Sequence, residues 1–129
     1  MNYYCGTDII EVNRVKNAIL STPSFKEKIF TPLEIEYAEK KKDITKYIHY
    51  AGRFAAKEAV YKAISKLSPH IFLGEIEILN DLDNLNRPYV IIHNNDFKSL
   101  NIDISIDISI SHIQDYATAI AVAYVNQIL

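Results

Sequence analysis

The longest uninterrupted helical pattern in the chain runs from Tyr47 to Leu67. From Arg53 to Leu67 it contains neither Gly nor Pro and is rich in Ala, Lys and Glu, residues that lose little on entering a helix. At 3.6 residues per turn Ala51, Ala55, Glu58, Lys62 and Ser65 share one stripe. A carboxylate and an ammonium therefore stand one turn apart, just after small side chains. The stripe is either a surface ion pair worth roughly a few tenths of a kcal/mol or the floor of a site for a charged ligand.

Period-two patterns flank this helix. Tyr3 to Val12 predicts a strand with Tyr4, Gly6, Asp8, Ile10 and Val12 on one face. Asp8 is then a carboxylate on an apolar or small face and needs a cation, a metal or backbone donors. Gly6 on the same face leaves room for a close approach. Glu75 to Leu79 and Tyr89 to His93 predict a hairpin across the polar turn 81–88. Ile102 to His112 alternates Ile with Asp or Ser as a half-buried strand, and Tyr116 to Val125 returns antiparallel to it. Short helices are expected over Glu11 to Leu20, Phe25 to Phe30, Thr31 to about Lys40, and Asn94 to Leu100. Thr31-Pro32-Leu33-Glu34 carries the cap, the proline at the first helical position and the glutamate that mark a helix start. The elements predict an α+β fold, one long helix packed on a small antiparallel sheet.

Composition narrows this only modestly. The 129 residues suit one domain spanning 1–129, with 49% hydrophobic and 23% charged residues. Fourteen basic side chains nearly cancel sixteen acidic ones, so no global charge points to nucleic acid or a membrane surface. No stretch has the apolar length of a membrane span, and the N-terminus lacks an export pattern. Cys5 is the single cysteine, which suits a reducing, cytoplasmic setting. Arg14, Lys16, Lys26, Lys28 and Lys40 to Lys42 make the first third locally basic. On a shared surface they would suit an acidic protein partner.

Three motifs then occur in order: Gly6-Thr7-Asp8-Ile9-Ile10, Arg53-Phe-Ala-Ala-Lys57-Glu58-Ala-Val-Tyr-Lys62, and Ser109-Ile110-Ser111-His112. With Arg14, Phe30-Thr-Pro-Leu-Glu34, Arg87-Pro88-Tyr89 and Tyr116-Ala-Thr-Ala around them, the whole chain resembles the holo-[acyl-carrier-protein] synthases, the small 4′-phosphopantetheinyl transferases of fatty-acid synthesis. The resemblance implies that Asp8 and Glu58 bind Mg²⁺ shared with the diphosphate of coenzyme A, in keeping with the few protein carboxylates Mg²⁺ takes. It implies that Lys62 contacts those phosphates, that Arg53 belongs to the nucleotide-binding region, that His112 lies near the coenzyme phosphates with Ser109 of the same motif as a phosphate donor, and that Arg87 also binds the coenzyme. Arg14 is implied to dock the apo-acyl carrier protein.

The implied reaction is attack of a carrier-protein serine hydroxyl on the β-phosphorus of coenzyme A, releasing adenosine 3′,5′-bisphosphate. Such a transfer relies on positioning and charge neutralisation. A water on the metal, a carboxylate or His112 remain open as the proton acceptor. Two departures stand out. The loop 65–74 has its single Gly at the end, where relatives carry a glycine-rich loop. Asn86-Arg87-Pro88 stands where the family tends to show Gly-Lys-Pro, and Arg and Lys are not interchangeable. The family implies a homotrimer with coenzyme pockets between subunits. A non-catalytic binder of coenzyme A or carrier protein and an unrelated Mg²⁺-dependent phosphohydrolase are the rival readings. Arg53 lies nine residues before Lys62, roughly 13 Å of helix rise, so it is not expected to clamp the same phosphate and is left to serve the nucleotide or a neighbouring subunit.

Overall fold

The alternating segments and the long helix pack as layers. The computed structural model describes residues 2–128, with side-chain burial described through residue 126. In chain order the elements are β1 (Asn2–Glu11), α1 (Val12–Ser21), α2 (Phe25–Ile29), α3 (Pro32–Glu39), α4 (Asp43–Ile64), a 3₁₀ turn (Leu73–Glu75), β2 (Ile76–Asp81), β3 (Arg87–Ile92), α5 (Asn95–Lys98), β4 (Ile102–His112) and β5 (Tyr116–Ile128). The expected single sheet is two: an antiparallel three-stranded sheet ordered β1–β5–β4, and the separate β2–β3 hairpin.

The long helix starts earlier and stops earlier than its apolar period suggests. It begins at Asp43, ahead of Tyr47 and Ile48, which pack on the cluster under α1–α3, and at its other end Leu67 and Ser68 both donate backbone hydrogen bonds to the Ile64 carbonyl, which turns the chain away. The capping box at Thr31–Glu34 forms as its residues predict.

Small residues decide how closely the layers meet. Ala55, Ala56, Ala59 and Ala63 of α4 lie in one buried cluster with Ala119, Ala121 and Ala123 of β5. Gly6 of β1 sits directly on the helix backbone. A Cβ there would stand 1.9 Å from the Ala59 carbonyl oxygen and 2.8 Å from the Ala63 nitrogen. The room that Gly6 leaves is thus filled by α4, and this contact carries Asp8, two residues on, to the rim of the helix. A second cluster joins Val12, Val15, Phe30, Ala38, Tyr50 and Ala51 beneath α1–α3.

Between the two clusters lies an ion pair that spacing does not reveal. Lys57 and Glu34 are both fully buried, with Nζ 2.7 Å from Oε1. Lys57 also donates to the carbonyls of Leu73, at 3.2 Å, and Ile76. Glu34 in turn accepts from the backbone nitrogens of Thr31 (2.8 Å) and Ile78 (2.7 Å). Every strong polar group is therefore met, the condition for a buried pair to be tolerated. It ties α3, α4 and β2 together.

Candidate functional site

The candidate site residues form two clusters, on different sides of α4. The first is at the join of β1 and α4. β1 is pinned to β5 there by Thr7 Oγ1 donating to the Ala119 carbonyl (3.0 Å) and Thr118 Oγ1 donating to the Asp8 carbonyl (2.8 Å). Lys62 Nζ lies 3.3 Å from Asp8 Oδ1 and donates to the Thr7 carbonyl at 3.0 Å. Glu58 stands one turn before Lys62 with no hydrogen-bond or ion-pair partner among the described residues. Burial, and then the charge of Asp8, push its carboxyl above the usual range, while Lys62 acts the other way.

Asp8, Glu58 and Lys62 therefore come together as the sequence predicts, although Asp8 and Glu58 lie 50 positions apart. Two neighbouring carboxylates, of which Glu58 is unpaired and held above its usual range by burial and then by the charge of Asp8, suit a divalent cation. No group of three or more His, Cys, Asp or Glu gathers anywhere among the described residues. The donor set fits a hard cation that completes its shell with ligand phosphate and water.

The second cluster is a cleft of about 560 Å³ between α4, the β2–β3 hairpin and β4. Arg53, Arg87, Ser109 and His112 all line it, together with Lys41, His49 and Asn80. Arg53 is almost wholly buried, donates to Asn80 Oδ1, and has its guanidinium 5.8 Å from the centre of the Tyr37 ring. Burial lowers its proton affinity, while Glu34 and Tyr37 act to raise it. Arg87 reaches Asp107 at 3.6 Å across the two sheets. Among the described residues no Asp or Glu lines the cleft.

His49 is one of the residues that line the cleft. Its ring centre lies 4.7 Å from that of Tyr37, and its buried Nε2 has no hydrogen-bond partner. Burial, then Arg53, Lys41 and His112, push it down to about 3, so it is neutral at neutral pH. His49→Phe keeps a ring against Tyr37 and removes the unmatched nitrogen, so the ligand-free protein is expected to gain about 1 kcal/mol of stability. The unfolded chain takes up a proton on His49 below about pH 6.5 that the folded chain excludes. Stability therefore falls as pH drops from 6.5 towards 3, by on the order of 1 kcal/mol at pH 5 once partial solvent access is allowed for. Thermal melts of wild type and His49→Phe across pH 5–8 check this, and the variant should lose that part of the acid slope.

The N-terminal basic surface is smaller than its lysine count suggests. Lys26 and Lys46 both pair with Glu39, Lys40 pairs with Glu36, and the Lys16 ammonium lies over the Tyr47 ring. Lys41 turns into the cleft. Arg14 stays exposed on α1. The spacing signals for the cleft were present: Tyr37 and Lys41 are four residues apart, as are Thr45, His49 and Arg53 along α4.

Comparison with known proteins shows the family. The chain is 45% identical over 126 residues to the holo-[acyl-carrier-protein] synthase of Ruminiclostridium cellulolyticum, covering 95% of this chain and 92% of that one. The Fusobacterium nucleatum enzyme of the same name is 43% identical over 120 residues, covering 91% and 94%. The fold matches the Chronobacterium ammoniagenes ACPS–CoA complex with a TM-score of 0.82 at 27% identity, over 98% of this chain and all of that one. The Bacillus anthracis holo-(acyl-carrier-protein) synthase in complex with CoA (3′,5′-ADP) matches with a TM-score of 0.73 at 32% identity, over 93% and 94%. With residues 4–121 matched by the family's model, the chain belongs to the 4′-phosphopantetheinyl transferase superfamily.

Proposed function

We propose that this chain is a holo-[acyl-carrier-protein] synthase. In that reading it moves 4′-phosphopantetheine from coenzyme A to a serine hydroxyl of an apo-acyl carrier protein and releases adenosine 3′,5′-bisphosphate. It works as one domain over residues 1–129, in the cytoplasm, with Mg²⁺; no helix among the described residues is long and apolar enough to cross a membrane. The observation that carries the reading is the meeting of Asp8, Glu58 and Lys62 on the β1–α4 join.

Asp8 and Glu58 would hold the divalent cation, which when bound neutralises charge on the diphosphate. Lys62, at the solvent edge of the same pair, reaches a diphosphate oxygen and stabilises the charge that shifts as the serine oxygen bonds to the β-phosphorus and the bond to the leaving nucleotide breaks. The arginines and His112 of the cleft bind the nucleotide, and Arg14 lies ready for the acidic carrier. Release of adenosine 3′,5′-bisphosphate measured with and without apo-carrier protein tests this. Release that requires both carrier and Mg²⁺ supports it, and release from coenzyme A without carrier favours a phosphohydrolase.

Helix rotation supports a site shared between chains. At about 100° per residue Arg53 is turned about 140° from Glu58 and about 180° from Lys62. The cleft and the carboxylate pair of one chain thus face opposite ways, and one coenzyme A is served by the pair of one subunit and the cleft of its neighbour. The outer face of the β1–β5–β4 sheet exposes Tyr3, Ile9 and Ile120, an apolar surface that suits burial in the family's homotrimer. Mixing a Glu58→Gln protein with an Arg87→Ala/His112→Ala protein, each deficient alone, is expected to restore transfer after subunits exchange. Mixtures no more active than the sum of their parts would mean that each chain carries a whole site.

A further inference from the structure

Asp8 sits on a strand that is held from one side. Among the described residues β1 pairs with β5 alone, so it is the edge of its sheet. An edge strand has ladder hydrogen bonds along one side and is free to twist along the other. Side chains supply what the ladder lacks. Thr118 Oγ1 donates to the Asp8 carbonyl (2.8 Å), and Thr7 Oγ1 donates to the Ala119 carbonyl (3.0 Å). Lys62 Nζ donates to the Thr7 carbonyl (3.0 Å). Asp8 and Ala119 stand directly opposite each other in the β1–β5 register. Each carbonyl of this pair therefore takes a hydroxyl from the facing strand, and the two threonines form a reciprocal clasp.

Alternation along the strands puts Thr7 and Thr118 on the outer face of the sheet, opposite the Asp8 side chain. Their neighbours on that face, Ile9 and Ile120, are exposed and apolar. Valine would suit such a face as well as threonine, so strand propensity alone does not call for two hydroxyls. What the hydroxyls add is a donor on each carbonyl. The Asp8 carbonyl and the bond from its Cα to its side chain turn together, so fixing the first fixes the direction in which the carboxylate leaves the strand. That direction matters for Mg²⁺, which demands near-ideal octahedral geometry.

Resting on the reading of Asp8 and Glu58 as the metal centre, we propose that Thr118 and Thr7 are positioning residues that aim the Asp8 carboxylate from the opposite face of the sheet. Neither touches the coenzyme, the carrier or the metal. Groups that orient a metal ligand from behind tune the affinity for the metal. Here they act through the backbone, so each contributes on the scale of one neutral hydrogen bond.

The test uses Thr118→Val, Thr118→Ser and Thr7→Val, with Mn²⁺ as the probe. Valine keeps the shape of the side chain, and sedimentation checks that assembly is unaltered. Mn²⁺ binding is read by electron paramagnetic resonance with coenzyme A present and no carrier, so nothing turns over. Thr118→Val is expected to weaken Mn²⁺ binding about fivefold and to raise the half-activating metal concentration in the transfer assay by the same factor. Saturating metal should restore the rate, and KM for carrier protein should stay at the wild-type value. Thr118→Ser should bind Mn²⁺ like the wild type, and Thr7→Val should weaken binding about threefold. A lower melting temperature with unchanged Mn²⁺ binding makes the clasp purely structural and overturns the proposal. So does a loss in Thr118→Val that Thr118→Ser shares. If Thr118→Val does not fold, Thr7→Val decides: weaker Mn²⁺ binding supports the proposal, unchanged binding overturns it. Equal Mn²⁺ binding by wild type and Asp8→Asn overturns it together with the metal reading. A wild type that binds Mn²⁺ and transfers nothing refutes the enzyme reading, and the Mn²⁺ shift still decides this one.

Discussion

Asp8→Asn and Glu58→Gln proteins are expected to fold like the wild type and to lose phosphopantetheine transfer by about a thousand-fold, the several kcal/mol that a charge-neutralising centre supplies to a phosphoryl transfer. Folding should survive because both side chains sit at the edge of the helix–sheet contact. Asp8 contributes only a part-exposed ion pair with Lys62, worth at most about 1 kcal/mol. Glu58 has no hydrogen-bond partner to lose. Glu58→Gln should even relieve the burial of a charge and, after it, the repulsion from Asp8 that together hold its carboxyl above the usual range. Single-turnover transfer rates set beside thermal melts check both halves. A variant that melts normally and transfers within tenfold of wild type would remove Asp8 and Glu58 from the reaction.

Glu34→Ala should do the reverse, with its effect on stability. It strands the fully buried Lys57 ammonium and deprives the Thr31 and Ile78 nitrogens of their acceptor. Breaking one half of a buried pair costs about 3–5 kcal/mol, a large share of a typical domain's stability. Replacing Lys57 by Met is not neutral either, because the Leu73 and Ile76 carbonyls lose their donor. Urea denaturation gives the measurement. A loss under about 1 kcal/mol for Glu34→Ala would mean that the pair is not the tie between α3, α4 and β2 described above.

Local pattern carries some of these features and not others. The alternation in β1 and β4, the Thr31 capping box and the β2–β3 hairpin are set by neighbours within a few residues, and they form as expected. Lys57 is different. In the helix it looks like one more solvated lysine, and only Glu34, 23 positions earlier, makes it a core residue. The stripe Ala51–Ala55–Glu58–Lys62 is similarly divided: its first half is sealed beneath the sheet and its end protrudes, because β1 passes over the helix at Gly6. Rise along α4 separates Arg53 from Lys62 in the sequence, and the rotation, equally readable there, turns them to opposite sides. The division into two sheets was not readable, since the alternation of β2 and β3 is the same whichever strands they join.

The central claim is that this chain modifies a carrier protein at the expense of coenzyme A through the Asp8–Glu58–Lys62 cluster. Its most direct test is the intact mass of apo-acyl carrier protein after incubation with coenzyme A, Mg²⁺ and either wild-type or Asp8→Asn protein. The account predicts a carrier heavier by one phosphopantetheine with the wild type and an unmodified carrier with the variant. An unmodified carrier in both, or full modification in both at equal rate, would contradict it.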